Sequence, residues 1–376
     1  MKIGIITFHE SNNCGSMLQS YALQKTLDRM GYNNEIINFS NKEQQHMYAL
    51  FRKPRSLKDI ALNIVTVLFY PRFQCHYENY KSFLRDWLVL GKTRYTTTQQ
   101  LKDNTGDYDA YITGSDQVWN TTCPDGDEAY YLNFVSDKLK IAYAPSFGAT
   151  CLLEEEKEPE KYIKYLKDFD YISIREDNGA KWIYEMTGQR VPVLLDPTML
   201  IGRNEYAKMA DRETGIKEKY IFYYAFRYSE EVNQVVRAIS KQLHMPVYII
   251  DAKSWIKKGA RFGFRLTKKS GPLVFLKMIA EAQLVLTTSF HGTVFSIVNH
   301  KKFWFIDSSM HNANDDRAIT ILKMFGLEER MVTGDELLKK DVMSKVMYTY
   351  ADQQLKVMQN KSLEFLKEAL GQNKEL

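Results

Sequence analysis

Leu284 to His300, LVLTTSFHGTVFSIVNH, is the stretch whose reading decides the fold. Leu284 to Thr288 form a short apolar run, Ser289-Phe290-His291-Gly292 break it with polar groups, and Thr293 to Asn299 resume with an apolar face at helical spacing. The pattern predicts strand, loop and helix. In an open α/β sheet, ligands sit at the carboxyl ends of strands, where the next helix begins with unpaired backbone N–H groups. Ser289, His291 and Thr293 add hydroxyls and a titratable imidazole, and Gly292 allows a ligand close to the backbone. These groups suit an anion. The plain alternative is a satisfied His291 in a βα loop, with Thr293 only a helix cap.

The same rhythm extends in both directions. Tyr220 to Phe226 reads as a strand ending at Arg227. Glu230 to Leu243 reads as a helix with Val232, Val236 and Ile239 on one face, and Pro246 to Ile250 as a strand. Trp255 to Lys269 is basic and irregular, and Pro272 starts a helix through Ala282. Phe303 to Ile306 gives a further strand, Asp316-Arg317 opens a helix to Phe325, and helices follow from about Asp335 to the end. Nearer the start, strands are expected over Lys2 to Phe8, Asn34 to Phe39, Tyr108 to Thr113, Lys140 to Ser146, Tyr171 to Ile174 and Val191 to Leu195, with a helix from Met17 to Met30. The polar loop His9 to Ser16 lacks both GxGxxG and GxxxxGK[ST], so no dinucleotide or Walker loop is expected.

The expected class is therefore α/β: two Rossmann-like, doubly wound halves of the GT-B type with a C-terminal helical segment. The boundaries are an N-terminal domain over 1–200, a second over 201–334 and helices over 335–376. At 376 residues two domains are the prior. A balance of 51 basic to 46 acidic residues excludes a nucleic-acid coat while allowing a local basic pocket. Cys14, Cys75, Cys123 and Cys151 have no metal-ligand spacing, so reduced thiols and no metal site are expected. With no apolar leader and no span of roughly 18 apolar residues, a cytoplasmic location is expected.

Residues 41–100 break the rhythm and read as a helical insertion. Arg52, Lys53, Arg55 and Lys58 precede the apolar run Ile60 to Tyr70, which Pro71 stops. Such a segment can rest on an anionic membrane surface. The alternative is a helix packed on its own domain with a solvated basic approach.

Other strand ends carry candidate groups. Gly114 to Asn120, GSDQVWN, offers Ser115 and Asp116 as caps or hydroxyl ligands, and Trp119 as a flat face for a sugar ring; capping and a buried Trp are the rival reading. Arg175 follows a strand and can grip a carboxylate or phosphate with its planar fork, unless it forms a weak surface pair with Glu176. A helix N-terminus supplies only about 0.3–1 kcal/mol to an anion, while a micromolar ligand needs roughly 8 kcal/mol. Charge-assisted hydrogen bonds at about 1.5–3 kcal/mol each must supply the difference, which calls for two or three cationic groups. Arg175, Arg227 and His291 are about that number.

Asn12-Asn13-Cys14-Gly15 with Leu18 to Leu23, GSDQVWN, Ala144 to Gly148, SIRE at Ser173 to Glu176, LDPTML at Leu195 to Leu200 and TTSFHGTVFS at Thr287 to Ser296 together resemble, in order, the motifs of polysaccharide pyruvyl transferases. The resemblance implies a GT-B-like enzyme that transfers pyruvate from phosphoenolpyruvate to a saccharide, usually as a cyclic ketal, releasing phosphate in capsule, exopolysaccharide or cell-wall synthesis. It implies His291 as general acid or phosphate ligand and Arg175 and Arg227 as donor-binding cations. Ser289, Gly292 and Thr293 would stand beside them, with Asn12, Asn13, Gly15, Ser115, Asp116 and Trp119 toward the acceptor. No cofactor and no metal are implied. A lipid-linked acceptor and a peripheral position at the inner face of the membrane are both compatible with it. Two rival readings keep the fold: a glycosyltransferase using a nucleotide sugar, and a non-catalytic sugar- or phosphate-binding module.

Overall fold

Strands and helices alternate to build two parallel sheets. The computed structural model describes residues 1–371 apart from 211–213, 226, 309–311 and 313. The expected strand end Phe226 and the final residues 372–376 therefore lie outside the described residues. The first sheet contains β1 (Lys2–Ile6), β2 (Asn33–Ile36), β3 (Ala110–Thr113), β4 (Leu139–Ala142) and β5 (Tyr171–Ile172), in the order β2-β1-β3-β4-β5. The second contains β6 (Ile221–Tyr224), β7 (Val247–Ile249), β8 (Arg265–Leu266), β9 (Leu284–Thr287), β10 (Phe303–Asp307) and β11 (Met331–Thr333), in the order β11-β10-β9-β6-β7-β8. Helices cover both faces of such sheets, so central strands read as unbroken apolar runs. All four residues of β3 and all four of β9 are buried.

Each order reverses once, between β1 and β3 in the first sheet and between β6 and β9 in the second. At such a switch point the flanking loops depart to opposite faces and leave a crevice at the carboxyl ends of the strands. The register places Ile6 beside Thr113 at one crevice and Tyr224 beside Thr287 at the other. Asn12, Asn13, Ser115 and Asp116 follow the first pair of strands; Arg227 and Ser289 follow the second.

The halves share a core. Leu18 and Leu23 of the helix Cys14–Arg29 belong to one apolar cluster with Phe275 and Met278 of the helix Pro272–Glu281 and Phe295 of the helix Phe290–Val298. The C-terminal helix Thr349–Ala369 crosses back to the first half. Its Ser362 hydroxyl accepts from the Leu195 amide at 3.2 Å, Gln359 donates to the Met199 carbonyl at 2.6 Å, and Phe365 packs against Tyr143 and Tyr171.

Several expected boundaries move for identifiable reasons. The loop expected over His9 to Ser16 ends at Asn13, whose side chain caps the Gly15 and Ser16 amides, so the helix begins at Cys14. Ser289 likewise caps the Gly292 amide, which puts Phe290, His291 and Gly292 inside the first helical turn and not in a loop. Val191 to Leu195 is no strand; only Val193 bridges, to Ile174. The unanticipated β8 and β11 are two and three residues long, too short to show a period. Residues 41–100 hold helices Lys42–Tyr48, Leu57–Leu68, Tyr70–Trp87 and Thr98–Asp103. Pro71 sits in the first turn of the third of these, where its missing N–H costs nothing.

The terminal helix should stabilise both halves. Leu366, fully buried in the shared core, is expected to cost about 2–5 kcal/mol when replaced by Ala, whereas exposed Val357→Ala on the same helix should stay within about 0.5 kcal/mol. Chemical denaturation of both variants checks this; equal effects would mean that the helix docks loosely.

Candidate active site

Asp196 organises the cleft. It is fully buried, and its Oδ1 accepts from the amide and hydroxyl of Thr198 at 3.0 and 2.7 Å. Its Oδ2 accepts from Arg175 Nη1 at 2.8 Å and from the Ser115 hydroxyl at 3.3 Å, and lies 3.5 Å from Nε2 of His291. Burial alone would raise this carboxyl; His291, ahead of Arg175 and Thr198, instead holds it well below the usual carboxylate range. Among the described residues Nε2 of His291 has no hydrogen-bond partner, so the 3.5 Å separation from Asp196 is a contact longer than a normal hydrogen bond.

His291 reaches this carboxylate because the other half makes room for it. A Cβ on Gly15 would fall 2.1 Å from Nδ1 of His291, so the first turn of the helix Cys14–Arg29 can press against the imidazole only without a side chain. Gly292 serves packing as well. A Cβ there would lie 2.1 Å from Oγ1 of Thr287, and that hydroxyl ties the ends of β6 and β9 by donating to the Tyr224 carbonyl at 2.6 Å and accepting from the Ser289 amide at 3.0 Å. Thr293 is fully buried, its hydroxyl donating to the Ser289 carbonyl at 3.2 Å.

Arg175 lies beneath the cleft and does not line it. Its guanidinium sits 4.3 Å from the Phe290 ring centroid, with Nη2 3.7 Å from Asp116 Oδ1, and both Nε and Nη2 lack hydrogen-bond partners. The bidentate grip expected from sequence is therefore replaced by a single strong bond to Asp196. The rival surface pair also fails, because Arg175 and Glu176 are both buried. Glu176 accepts from the Phe147 amide at 2.8 Å, and burial, opposed by Arg175 and Arg317, pushes its carboxyl up to about 8. Asp116 adopts the left-handed region at φ 72 and accepts from the Ser16 hydroxyl.

Trp119 cannot stack on a sugar. It is fully buried, parallel to Tyr131 at 5.5 Å, and donates to the Tyr130 carbonyl at 3.2 Å. Ser115 is equally inaccessible and bonds inward. Asn13, Asp116, Arg227, Ser289 and His291 do converge, on one cleft of about 360 Å³ between the halves. Arg317, read from sequence only as a helix start, enters the same cleft and holds Asp315 through Nε and Nη2 at 2.6 and 2.5 Å. A second cavity of about 240 Å³ adjoins it through Asn13 and Ser289 and is walled by Asn12, Tyr48, Tyr80, Tyr224 and Tyr228. The aromatic side chains beside the cleft are thus tyrosines of the insertion and the second half. Asp196 stands in LDPTML, a segment that carries part of the family resemblance, but it follows an apolar run at a domain's end, a place that gives a carboxylate no site role by itself. Among the described residues no group of three or more His, Cys, Asp or Glu side chains could hold a metal ion.

Two substitutions probe this arrangement. Gly15→Ala should displace the imidazole, read as shifted His291 ring resonances with the fold intact; unshifted resonances would show that the contact constrains nothing. For Glu176 the sign is fixed: the folded state keeps a proton that the unfolded state releases above its ordinary 4.5, so stability should fall as pH rises from 4.5 to about 8. Glu176→Gln should abolish that part of the slope in denaturation measured across the same range, and an unchanged slope would contradict the assignment.

Solved structures with this architecture include a putative UDP-N-acetylglucosamine 2-epimerase from Listeria monocytogenes, at TM-score 0.59 and 12% identity over 99% of this chain and 97% of that one. A UDP-GlcNAc 2-epimerase from Methanocaldococcus jannaschii with UDP-GlcNAc and UDP scores 0.54 at 11% identity, covering 96% of this chain and 100% of that one. S. aureus MnaA with UDP also scores 0.54 at 11%, covering 100% and 98%. At such identity these neighbours establish a GT-B-like fold and nothing finer. A search of curated proteins finds no match. The sequence model of one family, however, matches residues 13–310, a span that includes Asn13, Asp116, Arg175, Asp196, Arg227 and His291. On that match the chain belongs to the polysaccharide pyruvyl transferase family.

Proposed function

We propose that the cleft binds phosphoenolpyruvate and transfers its pyruvyl group to a saccharide, as a ketal on two hydroxyls, with release of phosphate. The observation that carries this reading is His291, set at the start of the helix Phe290–Val298 against the buried Asp196 carboxylate and sharing one cleft with Arg227 and Arg317. A donor with both phosphate and carboxylate needs separated cationic groups, and the start of that helix adds the positive end of its dipole.

The chemistry needs one group that gives and regains a proton. In this reading the imidazolium of His291 protonates the methylene carbon of the enol, leaving an oxocarbenium centre at C2. A sugar hydroxyl adds there and returns its proton to the imidazole. The C2–O bond to phosphate then breaks with its electron pair, and a second hydroxyl closes the ring as its proton goes to the departing phosphate. Asp196 touches no reactant; it stabilises the protonated ring and orients it, in the manner of an aspartate behind a catalytic histidine. Arg175 fixes Asp196 in turn and is a positioning residue here. Arg227 and Arg317 would meet the donor's anionic groups, and the tyrosine-walled cavity would take the acceptor sugar, whose apolar ring faces suit aromatic walls.

Calorimetric titration with phosphoenolpyruvate, with UDP and UDP-GlcNAc as comparators, tests the donor. Saturable binding of phosphoenolpyruvate alone, weakened at least tenfold by Arg227→Ala, is the expected result. Binding of the nucleotides alone would transfer the cleft to a nucleotide-sugar enzyme. With an acceptor in hand, Asp196→Asn should lower kcat far more than it changes KM, whereas a loss confined to KM would make Asp196 a binding group.

A further inference from the structure

The helix Leu57–Leu68 faces the wrong way for a helix that packs on its own domain. Its most buried residues are polar: Asp59 and Thr66, with Leu62, Asn63 and Val65 half-buried beside them; Asn63 bonds both the amide and the carbonyl of Arg52 at 2.9 and 2.8 Å, and Asp59 lies 3.3 Å from His46 and 3.7 Å from Arg52. Its outward side is apolar. Leu57 is 86% exposed, Ile64 56%, Val67 62% and Leu68 71%, with Ile60 between them. The exposed Phe51 and Tyr70 rings stack on each other at 6.1 Å beside this face. A single exposed leucine is ordinary; a whole helical face turned out of the protein is not.

The charges around this face indicate its occupant. Between residues 49 and 75 the only acidic side chain is Asp59, which points inward, while Lys53, Lys58 and Arg72 are exposed. A symmetric contact with a second copy would set those cations against their own counterparts. An anionic lipid surface instead offers phosphates to the rim and acyl chains to the apolar face. At 12 residues the helix is too short to span a bilayer, and among the described residues no helix is long and apolar enough to cross one.

We propose that this chain docks on anionic lipid bilayers through the helix Leu57–Leu68, lying in the headgroup layer with Leu57, Ile64 and Leu68 inserted and Lys53, Lys58 and Arg72 on lipid phosphates. The helix Tyr70–Trp87 continues directly from it, and its His76 and Tyr80 wall the tyrosine-lined cavity. His76 lies roughly 9 Å along that helix from Tyr70 at 1.5 Å per residue, so docking sets the cavity close to the membrane surface. An acceptor carried on a lipid would arrive from that side. The docking itself does not depend on the pyruvyl reading.

Flotation of the full chain with vesicles tests it without any catalytic readout. The chain should float with equimolar phosphatidylglycerol and phosphatidylcholine at low salt, remain unbound with phosphatidylcholine alone, and be released as salt rises. Ile64→Gln combined with Leu68→Gln should weaken binding at least tenfold with an unchanged unfolding midpoint, since both side chains are exposed. Lys53→Gln with Lys58→Gln should weaken binding and flatten its salt dependence. A wild-type chain that stays unbound with the anionic vesicles, or a Gln pair that floats like wild type, would overturn the proposal. So would a concentration-dependent dimer that the Ile64 and Leu68 substitutions disperse, which would give the face to a second copy.

Discussion

The Asp196 carboxylate, out of contact with solvent and set between Arg175 and His291, is the interaction on which the cleft depends. Burying an unpaired carboxylate costs several kcal/mol, so Arg175 and the Thr198 and Ser115 donors must be held in place for Asp196 to remain ionised there. Arg175 comes from the first half and His291 from the second. The same carboxylate therefore links the two halves chemically where their shared apolar core links them mechanically. Removing Arg175 would take away the charge-assisted bond to this buried carboxylate, and removing the carboxylate would take away the group that faces Nε2 of the imidazole.

Topology explains why this pair meets at a cleft and not inside a core. The strand order of each sheet reverses once, and the loops and helix starts at each reversal carry the groups that line the cleft: Asn13 and Asp116 from one, Arg227, Ser289 and His291 from the other. Two glycines make the approach close enough. Gly15 lets the first half press on the imidazole, and Gly292 lets the helix start against Thr287. The insertion then adds Tyr48 and Tyr80 to the neighbouring cavity.

Much of this was legible in the sequence, and the remainder was hidden for physical reasons. Strand-loop-helix periodicity located both crevices, because a buried parallel strand must be apolar and its carboxyl end must turn polar. Trp119 and Ser115 were misplaced because GSDQVWN reads the same whether its side chains face a ligand or the core, and only the packing of Tyr131 and Phe147 around the indole decides. Arg175, expected to grip a ligand, lies beneath the cleft on Asp196. Its partner, Asp196, lies 21 residues further on and has no local pattern that links the two. In the insertion, the apolar run Ile60 to Tyr70 behind its basic residues is compatible with a helix packed on its own domain and with one facing a membrane, and only the burial of Asp59 and Thr66 tells which side of the helix Leu57–Leu68 turns inward.

The most direct test of the central claim is a structure of the protein with phosphoenolpyruvate bound. The account predicts its phosphate and carboxylate within hydrogen-bond distance of Arg227 and the first turn of the helix Phe290–Val298, with the enol carbon facing His291 and Asp196 still on Arg175. Phosphoenolpyruvate bound away from this cleft, or in it with its enol carbon turned from the imidazole, would contradict the account.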